Sequence, residues 1–231
     1  MLRCWGLTER GPRLENQDAI AFTGTDAIED GRVVEWAWPL DDGVALALLA
    51  DGVGGSSDGR WAARTAVAHL AGTRIGANRR AEVEAAIRDS SEGVATRGRG
   101  PGSPTTTLAG LAFGDGSILA FNVGDTRIYS VGNGESPRQV SVDHRSRTDS
   151  RSISRFLGGL PAHATPSISE VRLSRGAAYL VCTDGLYAFV PEQELRLGCS
   201  ADPAAALVAL VTSALNRGSN DNASAILCIV D

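Results

Sequence analysis

The order in which short apolar runs and helical stretches follow one another most restricts the fold of this chain. Strand-like runs lie at 3–8, 19–24, 33–38, 44–50, 105–113, 117–123, 127–131, 168–173, 177–183 and 224–230, and most are punctuated by Gly or Asp. Gly114-Asp115-Gly116 between two of them is a hairpin signal, and Gly124-Asp125 reads the same way for the next pair, so the sheets are expected to be mainly antiparallel. Helical periodicity is clearest over 59–70, 81–96 and 202–216. In the last stretch Asp202 is placed to cap and Pro203 suits the first turn. Leu207, Leu210, Val211 and Leu215 form one apolar stripe, which Gly218 closes. That stripe needs a sheet to cover. Strands, a helix pair, more strands and a final helix do not alternate as a doubly wound parallel fold does. The expected architecture is α+β, a four-layer αββα sandwich with two central antiparallel β-sheets. No repeat and no long linker divides the chain, so one domain over 1–231 is expected, with 97–103 as a loop.

Composition removes several function classes. With 231 residues, 43% of them hydrophobic, the chain is long enough to bury a sizeable core without disulfide staples. A formal net charge of -5 provides no basic field, which argues against nucleic acid or an anionic membrane as the main partner. All 22 basic residues are Arg, so neither a Schiff-base lysine nor a phosphate-binding Walker lysine is available. The longest apolar run, 44–50, is too short to cross a bilayer. The first residues carry Arg3, Glu9 and Arg10 with no apolar stretch of signal-peptide type, and a cytoplasmic location is expected. The four cysteines show no C-x-x-C spacing, and Cys182 and Cys228 fall inside apolar runs, as buried free thiols would.

Chemistry concentrates in aspartates at run ends. The runs 44–50 and 179–183 each deliver an Asp-Gly pair, Asp51-Gly52 and Asp184-Gly185. Asp125 sits in a tight turn, Asp221 directly precedes an apolar run, and Asp18 closes Glu15-Asn16-Gln17-Asp18 as another begins. Taken singly, each is ordinary turn punctuation. Gathered at one edge, five like charges repel unless a cation neutralises them. With three His and no cysteine cluster, zinc is poorly matched, whereas oxygen donors suit magnesium or manganese. Glycine after Asp51 lets a backbone carbonyl approach an ion closely.

Seven segments in order then resemble one family. They are Gly11-Pro12-Arg13-Leu14-Glu15-Asn16-Gln17-Asp18, Leu49-Ala50-Asp51-Gly52-Val53-Gly54-Gly55, Pro104-Thr105-Thr106-Thr107, Asn122-Val123-Gly124-Asp125-Thr126-Arg127, Val142-Asp143-His144, Cys182-Thr183-Asp184-Gly185-Leu186 and Asp221-Asn222-Ala223-Ser224. They are similar to motifs of the metal-dependent protein phosphatases of type 2C, in their compact bacterial serine/threonine form. The resemblance implies that Asp51 bridges two manganese or magnesium ions, with the Gly52 carbonyl on one and Asp184 and Asp221 on the other. It implies that Asp125 holds a weaker third ion, that Asp18 acts through metal-bound water, and that Arg13 clamps the substrate phosphate with its fork of N–H donors. Arg13, Asp51, Asp184 and Asp221 are thus the expected catalytic set. Phosphoserine or phosphothreonine is then hydrolysed directly by a metal-activated water, without a phosphoenzyme.

The chain departs from the family pattern at Val53, where many eukaryotic relatives have His, and at Gln17, where many have Glu. Valine donates no proton, which leaves His144 as one candidate acid. Segment 145–166 falls where the family has a mobile flap. Its Arg145, Arg147, Arg151 and Arg155 are candidates for steering an acidic phosphoprotein. The expected partners are phosphorylated proteins and a cognate serine/threonine kinase, with the chain acting as a monomer. The alternative reading is a pseudophosphatase that binds phosphoproteins without turnover. A phosphatase with an aspartyl nucleophile needs an Asp-x-Asp pair after the first strand, and none is present.

Overall fold

The computed structural model describes the whole chain except residues 29, 54–57, 100–101, 133–135, 150–151, 160–163 and 198–199. Its strands are β1 (Leu2–Glu9), β2 (Asp18–Phe22), β3 (Val34–Trp38), β4 (Ala45–Asp51), β5 (Leu108–Gly114), β6 (Ser117–Val123), β7 (Arg127–Ser130), β8 (Arg138–Gln139), β9 (Ser167–Arg172), β10 (Ala178–Cys182) and β11 (Ala223–Val230). Its helices are α1 (Gly59–Ala71), α2 (Arg79–Ala95), the single turn α3 (Asp184–Tyr187) and α4 (Pro203–Asn216). One sheet runs β3-β1-β11-β10-β7-β8 and the other β2-β4-β5-β6-β9, with every paired neighbour antiparallel.

Side-chain alternation explains the layering. In β4, Ala45, Ala47 and Leu49 face the core between the sheets, while Leu46, Leu48 and Ala50 face α1 and α2. In β11, Ile226, Cys228 and Val230 point into the same central core, and Ala225, Leu227 and Ile229 lie under α4. These strands read as unbroken apolar runs because both of their faces are covered. Three apolar layers therefore separate four structural ones, and the αββα sandwich is confirmed. At the edges the pattern thins: β3 alternates, with Trp36 and Trp38 partly buried and Glu35 and Ala37 exposed. Trp36 stacks on Phe22 at 5.1 Å between ring centroids.

Local signals held in two places and failed in one. Asp202 caps α4, accepting a hydrogen bond from the Ala205 N–H at 3.0 Å, with Pro203 in the first turn. Asp115 and Gly116 close the β5–β6 hairpin, both with positive φ (46° and 72°), as a two-residue turn between twisted strands requires. Gly124-Asp125, by contrast, closes no hairpin, because β6 and β7 belong to different sheets. The Asn122 side chain donates to the Gly124 and Val142 carbonyls (3.2 and 2.8 Å) and accepts from the Val142 N–H, which holds the chain as it crosses between sheets. Cys4, Cys182 and Cys228 are buried free thiols, while Cys199 lies outside the described residues.

Candidate metal centre

Two antiparallel pairs, one in each sheet, deliver their ends to the same edge. In the first, Asp18 at the start of β2 stands opposite Asp51 at the end of β4. In the second, β10 ends just before Asp184 and β11 begins just after Asp221, and the Thr183 N–H donates to the Ser224 carbonyl at 3.1 Å. The pairs are stitched across the sandwich by Asp18. Its Oδ2 accepts from the Ser224 hydroxyl at 2.6 Å and from the Thr183 hydroxyl at 3.1 Å. Asn222 completes the seam, accepting from the Gln17 N–H at 2.9 Å and donating to the Arg10 and Glu15 carbonyls at 2.8 and 3.0 Å. Its side chain therefore orders the 10–17 loop, while its backbone N–H donates to Asp221 Oδ1 at 2.8 Å.

The Thr105–Thr107 stretch buttresses the Asp51 turn. Thr107 donates its N–H to the Asp51 carbonyl at 2.8 Å, and its hydroxyl accepts from the Asp51 N–H at 3.0 Å. The Thr106 hydroxyl donates to the same carbonyl at 2.9 Å. Glycine is required next to both acids by close backbone approach. A Cβ on Gly52 would lie 2.4 Å from the Gly59 carbonyl oxygen, and one on Gly185 would lie 1.9 Å from that of Asn222.

Burial and mutual repulsion show in the proton affinities. Asp18 is pushed from 3.8 to about 7, first by burial and then by the charges of Asp184 and Asp221, against the pull of its two hydroxyl partners. Asp51 is held well above the usual range by burial and by Asp18, Asp184, Asp125 and Asp221. Asp184 is raised to about 6 by burial, Asp125 and Asp221. Asp125 is also raised by burial, although the Arg145 charge opposes this.

Two acids have found cations within the chain. Arg13 donates from Nη2 to Asp221 Oδ2 at 2.6 Å and from Nε to the Asn220 carbonyl at 2.9 Å. Arg145 Nη2 lies 3.3 Å from Asp125 Oδ2. Among the described residues no three His, Cys, Asp or Glu side chains close around a single point. The donor set nevertheless fits a hard divalent ion. The Asp51 carboxylate receives no side-chain donor from the described residues, the available atoms are carboxylate and carbonyl oxygens, and Gly52 brings its backbone into a cradle that a Cβ would fill.

His144 does not have the character of an acid. It is buried, its Nδ1 accepts from the Gly124 N–H at 3.1 Å, and its proton therefore sits on Nε2, facing the Ser167 hydroxyl at 2.8 Å. Burial and the Arg155 guanidinium lower its pKa to about 4, so it is neutral near pH 7. Arg155 is turned inward to His144 and to the Thr165 carbonyl at 3.2 Å, which removes it from the steering set. Arg147 is exposed, and Arg151 lies outside the described residues. A hollow of about 1100 Å³ lined by Trp38, Val44, Ile75 and Leu173 sits at the opposite end of the β2–β9 sheet and plays no part in this centre.

The Protein phosphatase 2C family profile matches residues 14–227. The chain belongs to the protein phosphatase 2C family. A curated relative, the serine/threonine protein phosphatase PstP of Mycobacterium tuberculosis, is 29% identical over 81% of this chain, which spans 41% of that relative's length. Among solved structures, the serine/threonine phosphatase of S. agalactiae superposes with a TM-score of 0.82 at 22% identity, both chains fully covered. The catalytic domain of PstP, solved in complex with two manganese ions, gives 0.77 at 24% identity, again with both chains covered in full.

Several residues that shape this protein phosphatase 2C centre carried no role in the sequence reading. Thr183 and Ser224 were visible only as motif letters, and nothing local marks a hydroxyl as the partner of an acid more than 160 residues away. Tyr187 and Asp143 were likewise silent. Tyr187 donates to the Asp125 carbonyl at 2.9 Å, and Asp143 holds the Arg127 guanidinium at 2.8 Å, which in turn lies 4.0 Å over the Tyr187 ring. An acid or aromatic beside a motif arginine is the only trace such a network leaves in sequence.

Proposed function

We propose that the chain is a phosphoserine/phosphothreonine protein phosphatase working through a binuclear manganese or magnesium centre. The observation that carries this reading is the meeting of Asp18 and Asp51 from one sheet with Asp184 and Asp221 from the other, in a burial that raises the proton affinity of three of them. Family membership and the manganese-bound PstP catalytic domain support it. Asp51 would bridge the ions, the Gly52 carbonyl would serve one, and Asp184 and Asp221 the other. Such a pair of cations, when bound, supplies a water of lowered pKa and a positive charge against the developing phosphorane.

The remaining steps belong to the chain. Asp18 has one oxygen committed to Ser224 and Thr183, which fixes its plane and leaves Oδ1 to orient a water and receive its proton. Arg13 is 48% exposed and its Nη1 has no partner among the described residues, so a substrate phosphate entering beside Asp221 is met by a guanidinium already at the site. Its planar fork then takes two phosphate oxygens, a geometry suited to the transition state. Val53 places no proton donor beside the leaving group, and His144 is committed elsewhere. The partners on this reading are phosphorylated proteins and the kinase that modifies them.

Phosphate release from a phosphothreonine peptide with manganese tests the proposal. Turnover by the parent, abolished by a chelator and by Asp184→Asn, is expected. A folded, manganese-loaded parent that releases nothing from several phosphopeptides would instead be a phosphoprotein-binding module.

A further inference from the structure

The base of segment 145–166 carries an arginine built into the acidic edge. Arg145 reaches Asp125 Oδ2 from Nη2 at 3.3 Å and Asp143 Oδ2 from Nε at 3.5 Å, and it donates from Nη2 to the Tyr187 hydroxyl at 3.1 Å. Each of those partners is itself fixed. The Tyr187 hydroxyl donates to the Asp125 backbone carbonyl at 2.9 Å, and Arg127 lies over the Tyr187 ring and bonds Asp143 through Nε and Nη2. Arg145 also pairs across the segment with Ile153 in an isolated bridge, which anchors its backbone. Arg13 at Asp221 differs: it stands on an exposed loop, and its only other hydrogen bond among the described residues is to the Asn220 carbonyl.

We propose that Arg145 is the resident counter-cation of Asp125, standing where a third divalent ion would bind, so that the centre loads two ions and not three. The inference rests on the two-ion reading given above. A divalent ion at Asp125 must either sit against a guanidinium that never loses its proton or displace it from two carboxylates and a hydroxyl at once. The same charge lowers the proton affinity of Asp184, so its field extends to an acid of the two-ion set. Replacing a detachable ion by a tethered one leaves the charge balance at Asp125 independent of metal concentration.

The experiment counts manganese bound to chelator-stripped, folded protein by equilibrium dialysis and metal analysis. Two ions per chain are expected for the parent and for Arg145→Lys, which keeps a cation at the position. Arg145→Ser is expected to take up a third, bound about tenfold more tightly than any third ion on the parent. Asp125→Asn in the parent leaves the count at two, and added to Arg145→Ser it returns three to two. Three ions on the parent, a count unchanged by Arg145→Ser in a folded protein, or a parent reduced to one ion by Asp125→Asn would each overturn the proposal alone. No uptake by any variant would overturn the two-ion reading and this inference together.

Discussion

At the residue scale the acids are costly to the metal-free protein. Asp18 and Asp184 titrate near 7 and 6 when folded, against an ordinary value of 3.8, so the folded state holds more protons than the unfolded one across that window. Stability is therefore greatest below about pH 4 for these groups and falls as pH rises through their folded values. In a chelator, the melting temperature of the parent is expected to drop between about pH 4 and about pH 7, and Asp18→Asn to flatten that drop. A slope unchanged by the substitution would show that Asp18 is not the group responsible. Asp51→Asn removes a charge that four other acids oppose. It should stabilise the metal-free protein by on the order of 2 kcal/mol in denaturant unfolding while abolishing turnover. These acids were legible as residues, since each ends or begins an apolar run. Their protonation was not, because a dielectric and a set of neighbours exist only once the sheets have closed.

At the element scale the centre depends on how closely α3 and β11 approach. Gly185→Ala places a methyl 1.9 Å from the Asn222 carbonyl oxygen, forcing the turn away from the strand. A loss of about 3 kcal/mol is expected by denaturant unfolding, with turnover falling further than stability alone explains. Loss of the α4 cap is milder. Asp202→Ala gives up a single side-chain bond to the Ala205 N–H and should cost about 1 kcal/mol without changing manganese uptake. That cap, the Pro203 start and the Asp115-Gly116 hairpin were readable because each depends on neighbours within four residues. The turn α3, the two-residue β8 and the crossing at Gly124 were not. Each is stabilised by a partner more than four residues away: α3 by β11, β8 by β7, and Gly124 by the His144 ring.

At the scale of the whole molecule, the two sheets meet through an apolar interface and, at one edge, through carboxylates that repel. Cations bound there couple the sheets, so manganese at about a hundredfold excess over its dissociation constant should stabilise the parent by about 2.7 kcal/mol. Differential scanning calorimetry with and without chelator measures this, and a melting temperature indifferent to manganese would contradict it. Asp51→Asn, which removes the carboxylate proposed to hold both ions, should lose most of that gain. The sequence by itself located ten of the eleven strands of the described residues, their apolar faces and the aspartates at strand ends, because periodicity and turn chemistry act over a few residues. The tertiary structure alone decided that β6 hands the chain to the other sheet and that Asp18 is held by hydroxyls from β11 and the end of β10. It alone decided that Arg13 and Arg145 sit on Asp221 and Asp125. Those are pairings between distant segments, chosen by whichever charges and donors the packed sheets leave within reach, and burial makes an unpartnered choice too expensive to persist.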